Sequence, residues 1–149
     1  MISIQSADTQ LRDVARFRAA LRAFQRRTDR VAQRCGLTPQ RYELLLAIRV
    51  PGQGDTHATI STLRRDLDLP QTTITDLVAR AVKAGLVMRE QSERDGRVWH
   101  LRLTKEGERR LVATVRALER ERAELRASLQ AATRLLRTGS VSSAAHGAL

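Results

Sequence analysis

Apolar residues in the first part of the chain recur at alternating steps of three and four. Val14, Phe17, Leu21, Phe24, Thr28 and Val31 fall on one side of a helix, with arginines around the rest. The spacing predicts one helix over Asp8–Arg34, ended by Gly36. At 1.5 Å per residue it spans roughly 40 Å, more than a small core needs. A seam of that length calls for a partner helix.

Three shorter helices follow. In "LTPQRYELLLAI", Thr38 is suited to cap and Pro39 to open a helix. Tyr42, Leu45, Leu46 and Ile48 are its expected buried face, and Pro51, Gly52 and Gly54 break it. "ATISTLRRDLDL" predicts a second helix capped by Thr59, with Ile60, Leu63 and Leu67 inward. "PQTTITDLVARAVKAGLV" predicts a third, with Ile74, Leu77, Val78, Ala81 and Val82 inward and Gly85 at its end. Leu86 and Val87 are placed to dock back on the core.

The period then changes from 3.6 to 2. "LVMREQ" and "VWHLRLT" read as paired strands, with Trp99, Leu101 and Leu103 on the covered face and His100 and Arg102 outside. Asp95-Gly96 marks the turn between them. Thr104 caps a last long helix over residues 105–138, whose near-heptad seam of Leu111, Val115, Leu118, Leu125 and Leu129 is interrupted by Arg122. The small polar tail 139–149 is expected to be disordered.

The predicted class is mainly α with a small β wing, an α+β winged helix-turn-helix. The division expected for such a fold is an N-terminal dimerisation helix over residues 1–36, a DNA-binding domain over 37–104 and a C-terminal dimerisation helix over 105–138. At 149 residues the chain is long enough for a real core. Its few aromatic residues make that core aliphatic.

Charge points to a polyanion but does not locate the contact. The net charge is +11. Residues 1–50 hold ten basic against four acidic residues, whereas residues 51–104 hold eight against seven. The middle segment is nearly neutral, so local placement must decide. A lone cysteine, no apolar run of membrane length and no signal-peptide pattern together imply a soluble cytoplasmic protein without a disulfide framework.

Helix-turn-helix logic supplies the placement. The second helix of the pair suits a major groove about 12 Å wide. Its outward face carries Gln71, Thr72, Thr75, Asp76, Ala79, Arg80 and Lys83, and Gln71, Thr72, Thr73 and Thr75 are short hydrogen-bonding groups that suit base edges or nearby phosphates. Arg80 is expected on phosphate. Asp76 either complements the helix dipole or accepts a hydrogen bond from cytosine. Arg94 and Arg97, at the hairpin tip, suit the negative potential of a neighbouring minor groove, with Asp95 expected to orient the Arg97 guanidinium.

With these residues in place the chain resembles the MarR family of bacterial transcription regulators, from about Leu11 to about Leu129. The resemblance rests on "GLTPQRYELLLAI", "ISTLRRDLDLPQTTITDLVARAVKAGLV" and "SERDGRVWHLRLTKEGERRL". It implies a homodimer whose first and last helices interdigitate, each subunit presenting a recognition helix and a wing; the expected function is that of a repressor binding double-stranded DNA at a pseudo-palindromic operator. In many members a small anionic or phenolic effector releases the DNA, and in others thiol oxidation does. Two features depart from the family pattern: Asp76, where many members have a neutral or basic residue, and no sign of a further C-terminal helix. The alternative from another class is a winged-helix protein-interaction module that does not read DNA.

The remaining chemistry is sparse. Cys35 continues the seam of the first helix and reads as a small buried hydrophobe. His57, His100 and His146 show no metal spacing. No catalytic triad or phosphate-binding glycine loop is present, so neither an enzyme nor a cofactor is expected.

Overall fold

The computed structural model describes residues 4–52 and 57–141. Its element order is α1 (Ile4–Arg34), α2 (Pro39–Arg49), α3 (Ile60–Leu67), α4 (Gln71–Lys83), β1 (Val87–Gln91), β2 (Trp99–Leu103), α5 (Lys105–Ala117) and α6 (Glu119–Val141). This is the expected mainly helical winged fold.

The chain divides into two compact units. One comprises residues 29–117; the other joins the chain up to Thr28 with that from Leu118 onward. In the first unit, an aliphatic core gathers Ala32, Leu37, Leu44, Leu45, Ile48, Leu63, Ile74, Leu77, Val78, Leu86 and Leu101. Capping defines where its helices begin and end. Thr38 accepts the Arg41 N–H at 3.2 Å, and Thr59 and Thr62 form a reciprocal capping box. At the end of α1, Gly36 takes φ +78°, its N–H donates to Gln33 O and the Leu37 N–H donates to Ala32 O. The end of α4 repeats this pattern, with Gly85 N–H to Val82 O and Leu86 N–H to Ala81 O. Each closure turns the following leucine into the core.

The strands pair antiparallel, with Val87 opposite Leu103 and Gln91 opposite Trp99. Ala58 adds a bridge to Leu101, whose N–H donates to Ala58 O at 2.8 Å. Gly107 lets α5 meet this sheet: a Cβ there would lie 2.1 Å from the Leu86 carbonyl oxygen.

Several expectations are corrected. In α2, Leu44 is buried and Leu46 is 41% exposed. At 100° per residue Leu46 lies opposite the direction shared by Leu44, Leu45 and Ile48. Val82 of α4 is also exposed, because it sits about 80° around from Ile74, at the fringe of the buried stripe. Trp99 is 49% exposed, since it occupies the distal end of the hairpin, where no core lies beneath it. Cys35 is half-exposed rather than buried.

The long helix expected over 105–138 is two helices separated by a turn at Leu118, so a further C-terminal helix does exist. Neither proline nor glycine marks the break. One turn earlier, the Thr114 hydroxyl donates to Arg110 O at 2.9 Å, a back-bond that competes with the helical ladder and bends helices. Gly139 does not end α6, which continues to Val141. Residues 142–149 of the expected tail, with His146 and Gly54, lie outside the described residues.

In the other unit, Arg27 donates to Glu124 at 2.7 Å, and Arg120 donates to the same carboxylate at 3.2 Å. Their hydrogen bonds hold the Glu124 carboxyl below its usual range. The N-terminal half of the apolar seam on α1 stays open in the single chain, whereas Thr28 and Val31 at its other end are buried. Leu11 is 66%, Val14 51% and Leu21 40% exposed.

Candidate nucleic-acid interface

α3 and α4 are joined by Asp68, Leu69 and Pro70. Asp68 supplies the left-handed residue of the turn (φ 50°), a conformation in which aspartate is among the better tolerated non-glycine residues. Ile74, Leu77, Val78 and Ala81 anchor α4 in the core. Gln71, Thr72, Thr75, Asp76, Ala79, Arg80 and Lys83 are thereby turned out to solvent, and Thr73 is half-buried. The near-neutral segment thus presents one face of mostly small polar side chains with two long cations at its C-terminal end.

Two of these side chains are already engaged. The Thr75 hydroxyl donates to Gln71 O at 2.8 Å, so its proton is held within the helix. Arg80 donates to the Asp76 carboxylate one turn earlier, with both side chains more than half exposed. Asp76 and Arg80 stand four residues apart, the spacing of a helical ion pair, so this link has a signal in the sequence that the separate expectations for the two residues leave out.

The wing is fixed to the C-terminal end of α4. Thr104 Oγ1 donates to Gly85 O at 2.6 Å and accepts the Gly107 N–H at 3.1 Å, while the Thr104 N–H donates to Leu86 O at 3.0 Å. One residue therefore ties together the end of α4, the end of the hairpin and the start of α5. This gives a physical reason for the order Leu103-Thr104-Lys105-Glu106-Gly107 in the sequence.

The hairpin tip is a loop over 92–98 rather than a two-residue turn. Ser92 N–H donates to Val98 O, and Val98 N–H donates to Asp95 O, both at 2.9 Å. Gln91 Nε2 adds a bond to Gly96 O at 2.6 Å. Asp95 accepts the backbone N–H of Arg97 at 3.0 Å, so it shapes the loop instead of holding the Arg97 guanidinium as expected. No side-chain ion pair of Arg94 or Arg97 is present among the described residues, and both side chains are exposed. The backbone of the tip is held while its cations remain available.

Behind the interface, Glu106 receives two bonds from Arg109 at 2.8 Å and one from Arg110 at 2.6 Å. These hydrogen bonds, Arg109's first and Arg110's next, lower its carboxyl from 4.5 to about 2. Arg110 also donates to Gly36 O at 2.9 Å, joining α5 to the end of α1. The rings of His57 and His100 stack with centroids 4.3 Å apart. Neither contact has a signal in the sequence, because each joins residues distant along the chain. Among the described residues no group of three or more acidic, His or Cys side chains could hold a metal ion, and no helix is long and apolar enough to cross a membrane.

The comparisons agree with this architecture. No curated protein matches the chain by sequence. One solved MarR family transcription regulator is similar over 95% of this chain and 97% of its own, at 21% identity and a TM-score of 0.71. A mutant MarR from E. coli complexed with operator DNA is similar at 18% identity and a TM-score of 0.64, over 81% of this chain and 88% of that one. A transcriptional regulator of M. tuberculosis in complex with DNA is similar at 24% identity and a TM-score of 0.59, over 87% and 95%. The MarR family model matches residues 36–98, from just after α1 to the hairpin tip that precedes β2. Over those residues the chain matches the MarR family model, and it carries the winged helix-turn-helix fold of these solved regulators.

Proposed function

We propose that the chain is a cytoplasmic, homodimeric DNA-binding regulator of transcription, acting as a repressor on a pseudo-palindromic operator. The observation that carries this reading is the joint presentation of α4 and the wing. A helix face of mostly small polar residues, suited to a major groove, is clamped through Thr104 to a hairpin whose two tip arginines make no side-chain ion pair among the described residues. In the reading, Gln71, Thr72, Thr73, Thr75 and Asp76 face bases or nearby phosphates. Arg94 and Arg97 serve the minor groove, with Asp95 fixing the loop that carries them.

The open seam on α1 supports a second copy as partner, with dimerisation through α1 and the C-terminal helices. Relatives of the same fold have been solved with DNA. Release by a small anionic or phenolic effector is part of the same reading and rests on the resemblance to the MarR family.

Binding to duplex DNA from the chain's own upstream region, with salt titrated, tests the reading. Specific retention with an affinity that falls steeply as salt rises is expected. Equal, weak binding to all sequences would instead favour the protein-interaction module.

A further inference from the structure

Arg80 was expected to contact phosphate, and Asp76 to face a base alone or merely to complement the helix dipole. The structure joins them: the Arg80 guanidinium donates to the Asp76 carboxylate on the exposed face of α4. We infer that Asp76 is a positioning residue which holds the Arg80 guanidinium for one guanine in each half-site. This deepens the DNA-binding reading and rests on it.

Three physical points lead there. First, a carboxylate facing a polyanion opposes binding unless a cation offsets it, and Arg80 is the cation bound to it. Second, a guanidinium is a planar fork of five donors on a long, flexible stem. With one arm held by Asp76, the remaining donors have a restricted direction. That restriction suits the paired acceptors O6 and N7 of guanine, whereas a phosphate is readily reached by an unrestrained cation. Third, the neighbours on this face leave room. Thr72, Thr75 and Ala79 are short, and the Thr75 proton is committed to Gln71 O. Of the long donors on the outward face, only Arg80 is tied to an acidic side chain; Lys83 has no ion pair among the described residues and is a point charge suited to phosphate.

The test is selection from a pool of randomised duplex DNA at fixed salt, using the full chain, Arg80→Ala, Asp76→Ala, Asp76→Asn and Lys83→Ala. All three positions are exposed, so the fold should persist. The wild-type chain is expected to enrich a G·C pair at one position of each half-site. Arg80→Ala and Asp76→Ala should both flatten that same position, lowering its discrimination by about five- to 150-fold, the range for a bidentate base contact. Asp76→Ala should also bind random duplex more tightly, because an anion has left the surface. Asp76→Asn keeps an acceptor for Arg80 and should recover part of the preference, which simple charge removal would not do. Lys83→Ala should weaken all sequences alike and leave the preference intact.

Two results would overturn the inference while leaving DNA binding in place. If Arg80→Ala weakened all sequences equally and reduced the salt slope by about one, Arg80 would be a phosphate clamp. If Asp76→Ala lost the preference while Arg80→Ala kept it, Asp76 would be reading cytosine directly. A wild-type chain that enriched no sequence would remove the DNA reading itself, and the inference with it.

Discussion

Gly107→Ala places a single methyl group where α5 meets the end of α4. Its Cβ would sit 2.1 Å from the Leu86 carbonyl oxygen and 3.0 Å from the carbonyl carbon. Both are backbone atoms, so no side chain can swing aside. Reaching even about 3.2 Å requires α5 to retreat by roughly 1 Å, and forced overpacking of this kind costs typically 1–3 kcal/mol. The retreat also strains bonds made by Thr104, to Gly85 O at 2.6 Å and to Leu86 O at 3.0 Å. Each such bond contributes about 0.5–1.5 kcal/mol. Against this, alanine gains about 1 kcal/mol of helix propensity over glycine. The balance is a loss of about 1–3 kcal/mol. Urea unfolding followed by circular dichroism should show the midpoint falling by about 1 M for a 2 kcal/mol loss, at a typical slope of about 2 kcal/mol/M that does not change. A midpoint that stays or rises would show that helix propensity outweighs the contact, and that Gly107 is not required by the packing of α5 on Leu86.

Three other outcomes are expected. Arg97→Ala should weaken DNA binding and lower its salt slope by about one, measured by fluorescence anisotropy across a salt series; an unchanged affinity and slope would make the wing tip ordinary surface. Phe17→Asp, in the open seam of α1, should convert a dimer into a monomer in sedimentation velocity, and persistence of the dimer would place the interface elsewhere. Because Glu106 has a folded pKa of about 2, below its ordinary 4.5, its stabilising pairs with Arg109 and Arg110 are fully present above about pH 4.5 and are lost as pH falls towards 2. The gap in urea midpoint between the native chain and Glu106→Gln should therefore close over that window; a gap independent of pH would assign the effect to packing.

What the sequence revealed depended on how local the cause was. Thr38, Thr59 and Thr104 each cap a backbone N–H three residues on, and Gly36 and Gly85 close the helices that they follow, so these local roles were readable from order and spacing, whereas the Thr104 bonds to Gly85 and Leu86 were not. The buried stripe of α4 was readable because Ile74, Leu77, Val78 and Ala81 are interrupted by polar residues. The run Leu44-Leu45-Leu46 has no such interruption, and only tertiary packing chooses which leucine faces out. Trp99 keeps strand alternation, but alternation says nothing of how far a core extends beneath a hairpin. The turn at Leu118 has no breaking residue, and Thr114 acts there through a back-bond whose presence depends on its rotamer. For the candidate site, the identity of the exposed face of α4 was legible. Its internal wiring was not read: Asp76 engages Arg80, and Asp95 engages a backbone N–H. Both concern which of several nearby donors a carboxylate takes.

Hydroxyl-radical footprinting of the full chain on its enriched duplex tests the central claim most directly, because it reports the recognition helices, the wings and the two-fold arrangement together. Two protected half-sites centred about one helical turn, ~10 bp, apart are expected, with minor-groove protection where the wings reach. A single short asymmetric footprint, or no protection at salt concentrations that support binding, would contradict it.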